Sequence, residues 1–251
     1  MSADAYATVP PSLRQRRRAV ATQEIVAAAE QHMAEHGPHA LSLRAVARSL
    51  GMTVQGLYHY FPNRDALVTA LVAKAYEDLA DAVAAAVETA AEEPAPLRFM
   101  AAAESYRRWA VTHVERFQLL YGAPLRHYEA AAEGPTTQAM RRMSEVFQRE
   151  MFDGFTAAQL AAADTRVLSP TLQAHLGTLL PHGPETLPPP ATALLLSAWG
   201  HMHGMVVLEV FGHTSFVGEH QAEIFHMAMR DLIEDIHRRI PARPTGAPAA
   251  P

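Results

Sequence analysis

Apolar residues recur three and four positions apart along almost the whole chain, alanine, leucine and glutamate dominate, and β-branched runs are missing. This spacing predicts an all-α protein of about nine helices. A first helix over 13–35 places Ile25, Ala28, Ala29 and Met33 on one face and stops at Gly37-Pro38. Ser42 then stands as N-cap to a short helix carrying Leu43, Val46, Ala47 and Leu50, which ends at Gly51. Thr53 caps another over 54–60, and Pro62 keeps it to one or two turns. Asn63 caps a long helix over 65–91, long enough to run from a small head into a larger body.

After the Glu-Pro-rich segment 92–96 the pattern predicts a helix ending at Tyr121-Gly122, a short one over 124–132, and further helical segments over 136–163 and 170–180. A proline-rich loop follows over 181–190, then two final helices over 191–211 and 219–239. The pattern divides the chain into a head, 12–62, and a body, 63–240, with tails at 1–11 and 241–251. Helix 191–211 is apolar around its circumference, so burial on all sides is expected; helix 219–239 has a stripe of Phe225, Met229, Leu232 and Ile236.

The formal charge of −5 misleads until it is divided. Residues 12–64 carry seven arginines against Glu24, Glu30 and Glu35, whereas residues 65–251 carry fourteen basic and twenty-two acidic groups. A basic module on an acidic body suits local attraction to phosphates. No cysteine is present, which excludes disulfides, thiolate zinc sites and cysteine nucleophiles. The N-terminus lacks the apolar core of a signal peptide and no run of about 18 apolar residues is evident, so a cytoplasmic protein without a membrane partner is expected.

Two short helices separated by a glycine turn form a helix-turn-helix pattern, whose second helix enters the major groove. Val46-Ala47, Gly51, Leu57-Tyr58, Phe61 and Asn63-Arg64 sharpen it, and across 15–70 the sequence resembles the TetR family of bacterial repressors. Arg64 replaces that family's usual lysine, keeping charge but changing donor geometry. Val46, Leu50, Leu57 and Phe61 fall where a three-helix head needs its core. Thr53, Gln55, Tyr58, His59 and Tyr60 exceed what the inner face of so short a helix holds, so several face outward. Gln55 can donate to and accept from an adenine edge; Tyr58 and Tyr60 offer hydroxyls to phosphates; Ser42 and Thr53 open helix N-termini that attract phosphate oxygens. The resemblance adds Arg44, Val54 and Arg64 to the expected DNA-contacting set, and Arg16, Arg17 and Arg18 read as an arm toward the DNA backbone.

Trp199-x-x-x-His203-Gly204, with the Tyr106–Ala110 and Phe117–Gly122 runs, resembles the signature of one TetR C-terminal subgroup. The resemblance implies a homodimer whose last two helices pair with their symmetry mates, with Leu195, Met202, Val206, Phe225, Met229, Leu232 and Ile236 at the seam. It also implies a small, mostly apolar effector. Met100, Trp109, Phe117, Met143, Phe147 and Trp199 combine adaptable methionines with large aromatics suited to an apolar cavity, and His203 is either a ligand contact or a buried polar group. No cofactor and no metal is expected: His201 and His203 point apart, and His32 and His36 suit a helix C-terminus. The implied function is a repressor binding a palindromic double-stranded operator. Two alternatives are an all-α metal- or carboxylate-dependent enzyme using Glu209 and His213, and a helical protein adaptor.

Overall fold

A computed structural model describes residues 12–122, 134–179 and 187–242. Those residues form eleven α-helices and two short 3-10 turns, and no strand occurs among them. The expected short helix 124–132, most of the tails, and part of the loop 181–190 lie outside the described residues.

Helix α1 spans Leu13–His36, opened by a reciprocal Ser12–Gln15 capping box. Helices α2 (Leu43–Ser49), α3 (Val54–Tyr58) and α4 (Arg64–Thr89) begin at the three expected caps, with Ser42, Thr53 and Asn63 each accepting a backbone N–H. Between α2 and α3, Gly51 adopts a left-handed φ of 64°, a conformation that costs a side-chain-bearing residue energy. Ile25, Met33, Val46, Leu57, Phe61 and Leu67 close the head core, against which Leu50 packs half-buried.

The body is built from α5 (Ala95–Thr112), α6 (Val114–Tyr121), α7 (Pro135–Phe152), α8 (Ala157–Ala161), α9 (Pro170–Leu179), α10 (Pro189–Val210) and α11 (Gln221–Arg239). Two breaks account for the excess over nine helices. The expected helix ending at Tyr121 is interrupted at His113, whose backbone leaves the helical region at φ −121° and ψ 57° while its N–H and its ring Nδ1–H both donate to the Trp109 carbonyl, at 2.9 and 3.0 Å. The expected helix 136–163 stops at Phe152 because Gly154 turns left-handed, with φ 83°.

Helix α4 belongs to both halves. Leu67, Leu71 and Tyr76 join the head core, while Leu79, Val83 and Val87 join the body core. Around it α5, α6 and α7 pack, and α10 and α11 cover α5. A charge knot ties α1, α4 and α6 together: Arg116 reaches Glu30 at 3.1 Å and Asp78 at 3.0 Å, and Lys74 reaches Asp78 at 2.6 Å. A second set anchors α7, with Arg98 on Glu150 (2.6 Å) and Asp153 (2.5 Å); Glu150 is buried and also accepts from Arg149. Helix α10 is long and apolar enough, by length and mean composition alone, to cross a membrane, although Thr192, Ser197, His201, His203 and Glu209 interrupt its apolar run. Here its Leu194, Leu195, Ala198, Met202 and Val206 are buried in the helical body.

Candidate nucleic-acid interface and internal cavity

On α3, Leu57 alone is fully buried and pins the helix to the head. Thr53, Gln55, Tyr58 and His59 are exposed, Tyr58 by 41%, and Val54 is half-buried. Arg44, on α2, is exposed beside them. Ser42 and Thr53 spend their hydroxyls as acceptors for the N–H groups of Ala45 (3.5 Å) and Gly56 (3.0 Å). Two residues expected to reach outward are engaged within the head. Arg64 Nε donates to the Leu41 carbonyl at 3.4 Å, and Tyr60 is half-buried with the Arg18 guanidinium 5.4 Å above its ring. Arg18 also donates to the His59 carbonyl at 3.0 Å. The arginine run is therefore no loose arm: Arg14 to Arg18 lie in the first turns of α1, Arg18 braces α3, and Arg16 and Arg17 remain exposed.

In the body a cavity of about 420 Å³ lies between α7 and α10, within the size range of small-molecule sites. Met143 and Phe147 of α7 and Trp199 of α10 line it, as expected. Phe99, Tyr121, Leu195 and Met202 line it as well. Sequence reasoning missed these as lining residues, although 195, 199 and 202 form one helical stripe through Trp199. Met100, Trp109 and Phe117 do not reach the cavity; they are buried elsewhere in the same core. His203 stands one turn behind Trp199, stacked on it at 5.0 Å with the planes 9° apart.

A buried polar cluster supports that stack. Tyr106, fully buried, places its hydroxyl 2.7 Å from His203 Nδ1, and Tyr121 meets the His203 ring edge-on at 4.5 Å. Burial pushes the phenols of Tyr106 and Tyr121 far above their ordinary range and holds His203 below its own. All three are therefore neutral near pH 7, and the Tyr106 hydroxyl and His203 Nδ1 share one hydrogen bond whose direction follows the imidazole tautomer. Tyr121 Oη, near the hydroxyls of Tyr106 and Tyr76, is buried without a partner in hydrogen-bonding geometry.

The expected seam residues require correction. Leu195, Met202, Val206, Phe225, Met229 and Ile236 are all buried inside a single chain, and Leu232 is half-buried. The cause is that α10 and α11 turn those stripes onto α5 and onto each other. What they leave outward is a different face: Leu208 (45% exposed) and Ile224 (45%), with Gly200 and Gly204 open to space, while Leu196, 44% exposed, borders the cavity. Uniform burial of helix 191–211 is thus not found within one chain. Glu209, the carboxylate considered for catalysis, is clamped by both Nε (2.7 Å) and Nη2 of Arg107.

Residues 99–232 match the family described as tetracyclin repressor-like, C-terminal domain, and residues 25–71 match the bacterial regulatory proteins of the tetR family. The HTH-type transcriptional regulator Rv1816 of Mycobacterium tuberculosis is 36% identical over 144 residues, covering 57% of this chain and 59% of the relative. The match thus spans a little under three fifths of that curated relative's length. The crystal structure of the regulatory protein SCO4313 superposes with a TM-score of 0.70 at 30% identity, over 89% of this chain and all of the other. A Rhodococcus sp. RHA1 protein of unknown function, 24% identical, shares the fold with a TM-score of 0.63 over 86% of this chain and 94% of its own. With its C-terminal profile matched over more than half its length, and its helix-turn-helix head matched separately, the chain belongs to the TetR family of transcriptional regulators.

Proposed function

We propose that the protein is a homodimeric repressor that grips a palindromic operator through α3 and lets go when a small, mostly apolar molecule occupies the cavity between α7 and α10. The observation that carries the reading is α3 itself: a helix held by one buried leucine, with Gln55, Tyr58 and His59 exposed together on a basic head. Gln55 reads an adenine edge, and the exposed Arg16, Arg17 and Arg44 meet phosphates. Two copies pair through the outward face of α10 and α11, where Leu208 and Ile224 supply apolar area and Gly200 and Gly204 let helices approach closely. The effector acts by population shift, favouring a separation of heads that no longer matches successive major grooves. Selection of fragments from a random double-stranded pool by the purified protein tests this. A palindromic consensus with half-sites one helical turn or a multiple apart is expected; recovery of no sequence preference would refute it.

A further inference from the structure

We infer that the cavity takes a neutral, elongated amphiphile that carries hydroxyl or carbonyl groups along one edge and hydrocarbon along the other. The inference rests on the reading of this cavity as the effector site. Its basis is that the two walls differ in kind. From α10 come Leu195, Trp199 and Met202, with no hydrogen-bonding group among them except the indole N–H. From α7 come two parallel stripes: Met143, Phe147 and Met151 at four-residue spacing, and beside them Thr137, Arg141, Ser144 and Gln148, spaced four, three and four residues apart.

A ligand apolar on every side would strip water from the Ser144 hydroxyl and the Gln148 amide without replacing it, and one polar on every side would lose its own hydration against Trp199 and Met202. Neither Ser144 nor Gln148 has a side-chain hydrogen bond to another described residue, so both groups are open to a ligand. The polar stripe spans twelve residues, whose eleven rises at about 1.5 Å each give a track of about 16 Å. Among the described lining residues Arg141 and Glu145 bring one charge of each sign, so this wall favours no net ligand charge. An extended molecule with polar atoms on one edge matches stripe, wall and charge together.

The test uses 1,8-dihydroxyanthraquinone, whose two hydroxyls flank a carbonyl on one edge, against anthracene, which has neither group, followed by quenching of Trp199 fluorescence in a Trp109→Phe background so that Trp199 is the sole tryptophan. The hydroxylated probe is expected to bind about tenfold tighter, the scale of one or two net hydrogen bonds. Ser144→Ala and Gln148→Leu, at half-exposed positions checked for retained helicity, should each reduce that preference severalfold while leaving anthracene binding unchanged. Equal binding of both probes, or a preference untouched by either variant, overturns the edge assignment and leaves the cavity as an apolar effector site. Absence of binding by either probe overturns the cavity reading, and the inference falls with it.

Discussion

Tyr106→Phe removes one oxygen from the interior and nothing else. In the wild type the Tyr106 hydroxyl is hydrogen-bonded to His203 Nδ1 at 2.7 Å, at a residue with no solvent exposure. The variant therefore leaves Nδ1 facing an aromatic edge without that partner. An unmade buried hydrogen bond costs about 1–3 kcal/mol. At about 2–4 °C per kcal/mol for a chain of this size, the melting temperature should fall by several degrees. The wild-type stability also has a pH signature, which the variant should keep. Burial holds His203 below its ordinary value, so the unfolded chain takes up a proton that the folded chain does not bind. Stability is therefore full above about pH 6.5 and declines as pH falls below it. Removing the phenol leaves that desolvation in place, so the acid-side decline should persist in the variant. The assay is thermal denaturation from pH 5 to 8 followed by tryptophan emission, because Trp199 is stacked on His203. If the variant melts with the wild type at pH 7.5, and the His203 nitrogen shifts in ¹⁵N spectra are unaltered, the bond contributes nothing and the reasoning is refuted.

Three further outcomes are expected. Leu208→Glu or Ile224→Glu should yield a folded monomer by sedimentation, whereas Met229→Glu, at a position with no exposure, should lose helicity outright; a folded Met229 variant or a dimeric Leu208 variant would contradict the assigned faces. Gln55→Ala should weaken operator binding by roughly 1–3 kcal/mol with little effect on random DNA, measured by fluorescence anisotropy, and an equal loss on both would make Gln55 a phosphate contact. Arg16→Ala with Arg17→Ala should flatten the log–log salt dependence of binding by about 0.9 for each phosphate no longer neutralised, and an unchanged slope would mean that neither touches DNA.

The head is legible in the sequence because its information is local. Ser42, Thr53 and Asn63 announce the three helix starts, and the pattern Val46, Leu57, Phe61 states which faces turn inward. The body is less so. Helix α10 is apolar in nearly every direction, so its sequence has no phase from which to tell core from outer surface, and reasoning from pattern puts Met202 and Val206 on the wrong side. In α11 the stripe Phe225–Met229–Ile236 is plainly apolar, but an apolar stripe specifies burial and not whose atoms bury it. The cavity depends on α7 lying across α10, a long-range arrangement that puts Phe147 and Trp199 at its wall and leaves Met100 and Trp109 behind it. The breaks at His113 and Gly154 turn on a non-helical ψ and a left-handed φ, neither announced by a proline.

Helix α4 has 26 residues, and one end is packed in the head while the other is packed in the body. At about 1.5 Å per residue it is a rigid rod of about 39 Å. Rods convert angles into distances. A tilt of about 5° near Val87, small enough for repacked side chains to absorb, displaces the Arg64 end by about 3 Å. With two subunits related by a twofold axis, such displacements can add. A modest repacking in the body therefore has gearing enough to move a head by a large fraction of a base-pair step, and substitutions that bend this rod, such as a mid-helix proline, would disconnect the two ends without touching either.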